Sequence, residues 1–376
     1  MILWKNDPTY LLNADNLHKS LADIITFGNQ IITAKSGETK TIVIAANTKF
    51  AINNNGTIKV FDIGSSDVEL TESDLDTGVF AVGKDYYVYL CDAGVDLEVY
   101  LISLNSTYPA GYDADSSRKI GGFHYGYKRN SITVADVSEA IVPNSVWDLK
   151  HRPKCDPEGM VYLGGGVWVD IYLPSVNEAI TFNGGNGYPL LTGTAKSIYN
   201  ATPLTGTEGL SGYNFVELAR RSGKRLLSYS DWLMAAHGHP AGDQFAGNTA
   251  TRGTTGEDAD IGSISLANVV DCARKLWQWL DEYTIEQTST SYAWQTPMAG
   301  MNVGQLYLPN ATGLRQFHAG GDWSNGAIAG SRTVNLNNYP WNVNTNIGSR
   351  FACECIALRV GVSKELQPVI GIQSGS

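Results

Sequence analysis

The chain has 376 residues, 43% apolar and only 17% charged, so it builds a packed core rather than staying disordered. A net charge of −10 with no basic stripe makes the chain a poor candidate for binding nucleic acid or anionic membrane. No run of 18 apolar residues is present for membrane insertion.

At this length two or three domains are expected. Forty glycines, with Asn, Thr, Tyr and Trp throughout, suit short strands joined by many turns. The start, MILWKNDPTY, has no charged segment followed by an apolar one, so no secretory signal is expected. The five cysteines, Cys91, Cys155, Cys272, Cys353 and Cys355, are odd in number and widely scattered. That argues for reduced thiols over a disulfide framework.

In residues 10–26, YLLNADNLHKSLADIIT, the apolar stripe Leu17, Leu21, Ile24 and Ile25 predicts a helix that Asn13 or Asp15 could cap. Such a helix cannot stand alone; it docks on its own domain, on copies of itself or on a larger assembly. From Thr33 to Ser103 the segments TKTIVIAA, TKFAI, GTIKVFDI, DYYVYLCD and LEVYLIS read as strands of an antiparallel sandwich. The turn-rich NSVWDLKHRPKCDPEGM marks a boundary near residue 150. Beyond it, VYLGGGVWVDIYLPSV is strand-like. GYNFVELARRSG and SYSDWLMAAHG read as helices closing at Gly223 and Gly238, the second capped by Ser228 or Ser230. SRFACECIALRVGV reads as a closing strand. The predicted class is α+β: an N-terminal helix (1–30), a β-sandwich (31–150) and a second, mixed domain (151–376).

Chemistry is sparse. His237 and His239 lack a third metal ligand, so a helix C-terminal turn is the simpler reading. Gly164 to Gly166 lack the Lys-Ser/Thr of a phosphate loop and suit a bulge or turn. Asp113 with Asp115, and Glu257 with Asp258 and Asp260, have the oxygen ligands calcium takes, though solvated acidic loops are the simpler account. Cys353 and Cys355 sit two apart on one strand face, where a bridge between them would be strained. No catalytic constellation stands out, and no enzymatic activity or cofactor is expected.

What stands out is SRTVNLNNYPWNVNTNIGSR, residues 331–350, with six asparagines bracketed by two Gly-Ser-Arg triplets. One reading is a structural loop whose amides cap turns. The other is a binding surface, since mixtures of aromatic residues with Asn, Ser and Gly suit adaptable recognition. If the segment is extended, Asn342, Asn344 and Asn346 share one side, with Val343, Thr345 and Ile347 opposite.

GGDWSNGAIAGSR, NLNNYPWNVNTNIGSR and FACE together resemble the variable region of phage major tropism determinants. DYYVYLCDAG, PAGYDADSSRKIGGFHYG, SVWDLKHRPKCDPEGM, VWVDIYLPSVN, YNFVELARRSGKRL and LWQW extend the likeness, in order, over roughly residues 35–360. The resemblance implies a receptor-binding protein whose C-type lectin-like domain, of the formylglycine-generating-enzyme type, is diversified by a retroelement that miscopies adenines. An AAC asparagine codon changed at its first two positions reaches varied residues and never a stop, which would explain the asparagine run. Carried over, the diversified ligand-binding positions are Asp322, Ser324, Asn325, Gly326, Ile328, Asn335, Asn337, Asn338, Tyr339, Trp341, Asn342, Asn344 and Asn346. Trp323, Arg332, Pro340, Gly348 and Arg350 would be their scaffold. The resemblance further implies a homotrimer at a tail-fibre tip of the virion, a protein or glycan host receptor, and attachment to other tail or baseplate proteins through the N-terminus. The first 30 residues look shorter than the family's β-prism. The alternatives are a formylglycine-generating-type copper oxidase, for which Cys353 and Cys355 are wrongly spaced, and a purely structural tail fibre.

Overall fold

The structure, a computed structural model, describes residues 30–94, 97–182, 191–240, 251–295 and 306–356. The helix predicted over 10–26 and the C-terminal tail lie outside them.

Ten strands precede residue 150: β1 (Ile32–Ala34), β2 (Ile42–Ile44), β3 (Lys49–Asn54), β4 (Thr57–Asp62), β5 (Val68–Leu70), β6 (Lys84–Asp92), β7 (Glu98–Ser103), β8 (Ser117–Arg129), β9 (Val137–Ile141) and β10 (Trp147–Asp148). They form a three-stranded sheet β1-β2-β5, a separate hairpin β3–β4, and a five-stranded sheet β10-β8-β6-β7 with β9 on β8. Asn55 and Gly56, at φ 49° and 86°, make the tight turn that closes the hairpin on itself. Phe50, Ile32, Ile44, Tyr86, Val88, Phe123 and Ile141 bring the three sheets onto one core. Buried Asp148 anchors the start of β1, one carboxylate oxygen accepting from the amides of Ile31 (2.5 Å) and Ile32 (3.1 Å).

The rest carries β11 (Met160–Gly164), β12 (Val167–Asp170), β13 (Pro174–Glu178), β14 (Thr194–Ser197), helix α1 (Gly212–Arg221), β15 (Arg225–Leu226), helix α2 (Tyr229–Ala235), β16 (Trp277–Gln295), β17 (Leu306–Ala319), β18 (Val334–Asn335), β19 (Ile347–Ser349) and β20 (Phe351–Glu354). One sheet runs β11-β12-β20-β15 and another β18-β17-β16-β19. Both helices begin with a capping box: Ser211 with Asn214, and Ser228 with Asp231. Helix α1 turns Phe215, Leu218 and Ala219 onto Trp277, Trp279, Ile347 and Phe351, which seats the second sheet. Each large side chain so buried contributes about 1.5–3 kcal/mol.

The α+β class is corrected by this architecture. Among the described residues the chain is mostly β, with two α-helices of 10 and 7 residues. The span after the helices is instead filled by the β16–β17 ribbon, strands of 19 and 14 residues. Nor do the early strands make one sandwich of two sheets. Short turns close them locally into three sheets around a shared core.

Candidate binding surface

The segment from Gly320 to Asn346 hangs between opposite edges of one sheet. It leaves β17, pairs back through β18 (His318 with Asn335, Ala319 with Val334), and returns on the far edge, where β19 runs parallel to β16 (Trp277 with Ile347, Trp279 with Ser349). Both ends are therefore fixed by backbone pairing, and the segment crosses the end of the sheet.

Residues outside the segment hold its main chain. Trp232 Nε1 donates to Ser331 O at 3.2 Å and the Tyr229 hydroxyl to Arg332 O at 3.2 Å. Arg315 donates to Asn337 O at 2.7 Å. The amides of Gln316, Tyr213, Gly206 and Trp277 donate to the carbonyls of Asn338, Pro340, Asn344 and Asn346. These bonds do not depend on which side chains the segment carries.

The asparagine amides shape its turns. Asn342 Oδ1 accepts from the Tyr339 amide at 2.7 Å, Asn335 Oδ1 from the Asn337 amide at 3.0 Å, and Asn325 Oδ1 from the Asp322 amide at 2.8 Å. Asn344 Nδ2 donates to Asn338 Oδ1 at 3.1 Å, and Asn346 donates to Asp322. Asp322, 3% exposed, also accepts from the amide and hydroxyl of Ser324. No strand runs through 336–346. Asn342, Asn344 and Asn346 are half-buried and Val343 and Thr345 stand out to solvent, while Ile347 is buried in β19.

The outward face includes Ser324, Ala327, Ile328, Leu336, Asn337, Val343 and Thr345. Ile328 is 72% exposed, Val343 49% and Leu336 40%, so apolar surface is left in water at three places on one segment. Tyr339 and Trp341 stack at 4.8 Å with planes 6° apart, and the Arg315 guanidinium lies 3.8 Å over the Tyr339 ring. Beside them opens a groove of about 540 Å³ lined by Thr284, Ile285, Arg315, Asn335, Leu336 and Asn337. Gly326 has φ 51°, a left-handed position that Asn tolerates better than most residues.

The expected scaffold residues fall in different places. Arg350 is fully buried and donates to Gln278 Oε1 (3.1 Å) and to the carbonyls of Asp170 (2.8 Å), Ile171 (2.7 Å) and Val270 (2.5 Å). Gly348 is where a Cβ would meet Leu204 O at 2.7 Å. Pro340 is buried, Trp323 half-buried, and Arg332 exposed with its carbonyl rather than its charge in use. Beneath the segment, His318 lies between Trp277 and Trp279 and meets Asn338 Nδ2 at 3.2 Å. Burial lowers its pKa to about 4, so it sits there neutral.

The remaining candidates have structural partners. The Asp113 carboxylate accepts from the amides of Asp115 and Ser116, an Asx-type turn. Glu257 pairs with buried Lys275, and burial raises Asp258 to about 6. Asp260 lies in a short 3-10 turn. Gly164 to Gly166 form the β11–β12 turn. His239 is buried against Pro240 O at 3.0 Å, and His237 lies beside Tyr229 and Arg332. Cys353 and Cys355 do not face one another: Cys353 meets Cys155, and Cys355 accepts from Trp168 Nε1 at 3.1 Å. Sequence reasoning named Val343 and Thr345 only as the side opposite the asparagines, and missed Leu336 and the groove wall given by Thr284, Ile285 and Arg315, which do not follow from the asparagine pattern.

Comparison with known proteins follows the same geometry. The family model described as the Mtd second domain matches residues 32–148. A tail fiber receptor-binding protein of Bordetella phage BPP-1 is 28% identical over 323 residues, covering 81% of each chain. The solved M1 and I1 variants of the Major Tropism Determinant superpose with TM-scores of 0.64 and 0.63 at 26% and 25% identity, over 87% of this chain and 83% of theirs.

Proposed function

We propose that this chain, a relative of the phage major tropism determinants, meets its host receptor through the segment from Asp322 to Asn346. It is a receptor-binding adhesin and a component of a phage tail, and the copper-oxidase alternative is not favoured. The observation that carries the proposed site is the split between main chain and side chains. The segment's carbonyls are held by Trp232, Tyr229, Arg315, Gln316, Tyr213, Gly206 and Trp277, none of them part of it. Side chains such as Ile328, Asn337 and Val343 project outward and can change without moving the backbone. A preformed surface loses less entropy on binding, so exchanged side chains act on affinity rather than on folding.

Retroelement diversification of this segment, a homotrimer at the fibre tip and N-terminal attachment to other tail proteins complete the proposal. Three copies would let weak single sites adhere strongly together. The test replaces Ile328, Asn337 and Val343 together by Ser and measures adhesion of purified protein to host cells beside thermal unfolding. Lost or redirected adhesion with an unchanged melting temperature supports the reading. Unchanged adhesion moves the site elsewhere.

A further inference from the structure

Cys155 and Cys353 lie 198 residues apart in sequence yet meet beside an isolated antiparallel bridge. The Lys154 amide donates to Glu354 O at 2.9 Å and the Ile356 amide to Arg152 O at 3.0 Å, while Pro153 is bridged to Cys355. Those bonds flank the bridge, and the chain bends at 154 and 155 just beyond it, where Cys155 packs against the cluster that holds Cys353. The Cys155 amide also donates to Cys353 Sγ at 3.3 Å, so the sulfur already lies against the opposite strand. Gly223 makes room: a Cβ on it would touch Cys155 Cβ at 3.4 Å, and its carbonyl lies 3.7 Å from Cys353 Sγ.

We propose that Cys155 and Cys353 form a latent cross-strand disulfide, open while the chain folds in a reducing cytoplasm and closed by a low-molecular-weight disulfide in an oxidising medium. The chemistry is thiol–disulfide exchange. Cys155, the partly exposed member, loses its proton and attacks one sulfur of the small disulfide, releasing one small thiol and leaving a mixed disulfide on Cys155. The Cys353 thiolate then attacks Cys155 Sγ and expels the second small thiol. Two protein thiols are oxidised and one small disulfide is reduced to two thiols, with the protons taken up by the leaving groups. In the reduced pair the Cys155 thiol, hydrogen-bonded to Cys353, lowers Cys353 to about 6 and is itself raised; that bond is given up once Cys155 carries the small thiol, so the second step rests on the closeness of the two sulfurs. The bond would fix β20, the strand after β19 and the proposed variable segment, to the chain entering β11. Closing so long a loop restricts the unfolded chain strongly.

The test incubates the full-length chain with oxidised glutathione, then combines differential alkylation, peptide mapping and thermal unfolding. The expected result is one Cys155–Cys353 linkage, with Cys91, Cys272 and Cys355 still alkylatable. The melting temperature should rise by roughly 5–15 °C and fall back with dithiothreitol. Cys355→Ser should keep that rise, and Cys155→Ser, at the more exposed position, should abolish it. Five alkylatable cysteines after oxidation, a persistent glutathione adduct on Cys155, or a Cys155–Cys355 linkage would each overturn the proposal.

Discussion

The two Gly-Ser-Arg triplets that bracket the asparagine run look alike in sequence, and their arginines should behave oppositely when replaced by Met. Arg350 is 1% exposed and satisfies four acceptors, three of them main-chain carbonyls of Asp170, Ile171 and Val270. Methionine fills much of the volume but donates nothing. Each buried acceptor left unpaired costs about 1–3 kcal/mol, and local relaxation recovers part of that. A loss of roughly 4–6 kcal/mol follows, a large share of the 5–15 kcal/mol that holds a typical domain. At about 2–4 °C per kcal/mol the melting temperature should drop by about 10–20 °C. Arg350→Lys should fall in between, since one ammonium cannot reach four acceptors. Arg332, exposed and joined to Tyr229 through its carbonyl alone in the bonds described above, should change stability by less than about 0.5 kcal/mol. Thermal and urea unfolding of the three variants decides the matter. If Arg350→Met melts within about 3 °C of the parent, well short of the smallest expected drop of about 10 °C, the guanidinium is not such a clamp.

Three further outcomes are expected. Burial lowers both His239 and His318 to about 4 from an ordinary 6.5. The unfolded chain binds these protons below pH 6.5 and the folded chain does not until about 4, so stability is full above 6.5 and falls between 6.5 and 4, by up to about 3 kcal/mol per histidine. His318→Gln should flatten the fall of melting temperature with acid, and an unchanged slope would refute the assignment. Asn342→Ala removes the 2.7 Å bond to the Tyr339 amide and should cost about 1 kcal/mol, whereas Val343→Ser at the adjacent exposed position should leave unfolding unchanged; equal effects would count against the turn-capping role. Deep sequencing of codons 315–360 in a population of the source phage should find substitutions gathered between 322 and 346 and sparing Trp323, Arg332, Pro340 and Arg350. A uniform segment would sink the proposed diversification.

What the sequence shows and hides follows from the range of each interaction. The capping box at Ser228 and the β11–β12 turn at Gly164 to Gly166 are settled within four residues, and they are legible. The α+β class fails because two good helix signals say nothing of how the residues around them pair, and those residues form the β16–β17 ribbon and separate sheets. Alternation of sides holds along 342–346, but no strand carries it and Ile347 is buried in β19. The extended conformation is what differs: the chain turns there because asparagine amides bond their neighbours' backbone.

The most consequential contacts span the greatest separations. Lys224 and Asp170, both almost fully buried and 2.5 Å apart, are 54 residues apart in sequence, and Arg350 reaches carbonyls 80 to 180 residues away. Neither pairing leaves a periodic trace. The same separation explains how the proposed site can be tolerant and rigid together. Its anchors lie in elements that the segment does not encode, so changes inside it leave Trp232, Tyr213, Gly206 and Arg350 in place. The capping asparagines are the exception, since replacing them gives up local bonds. A face able to sample other residues at 342, 344 and 346 must therefore draw its stability from the anchors outside it, and that is why the Arg350 and Asn342 substitutions should differ so widely in effect.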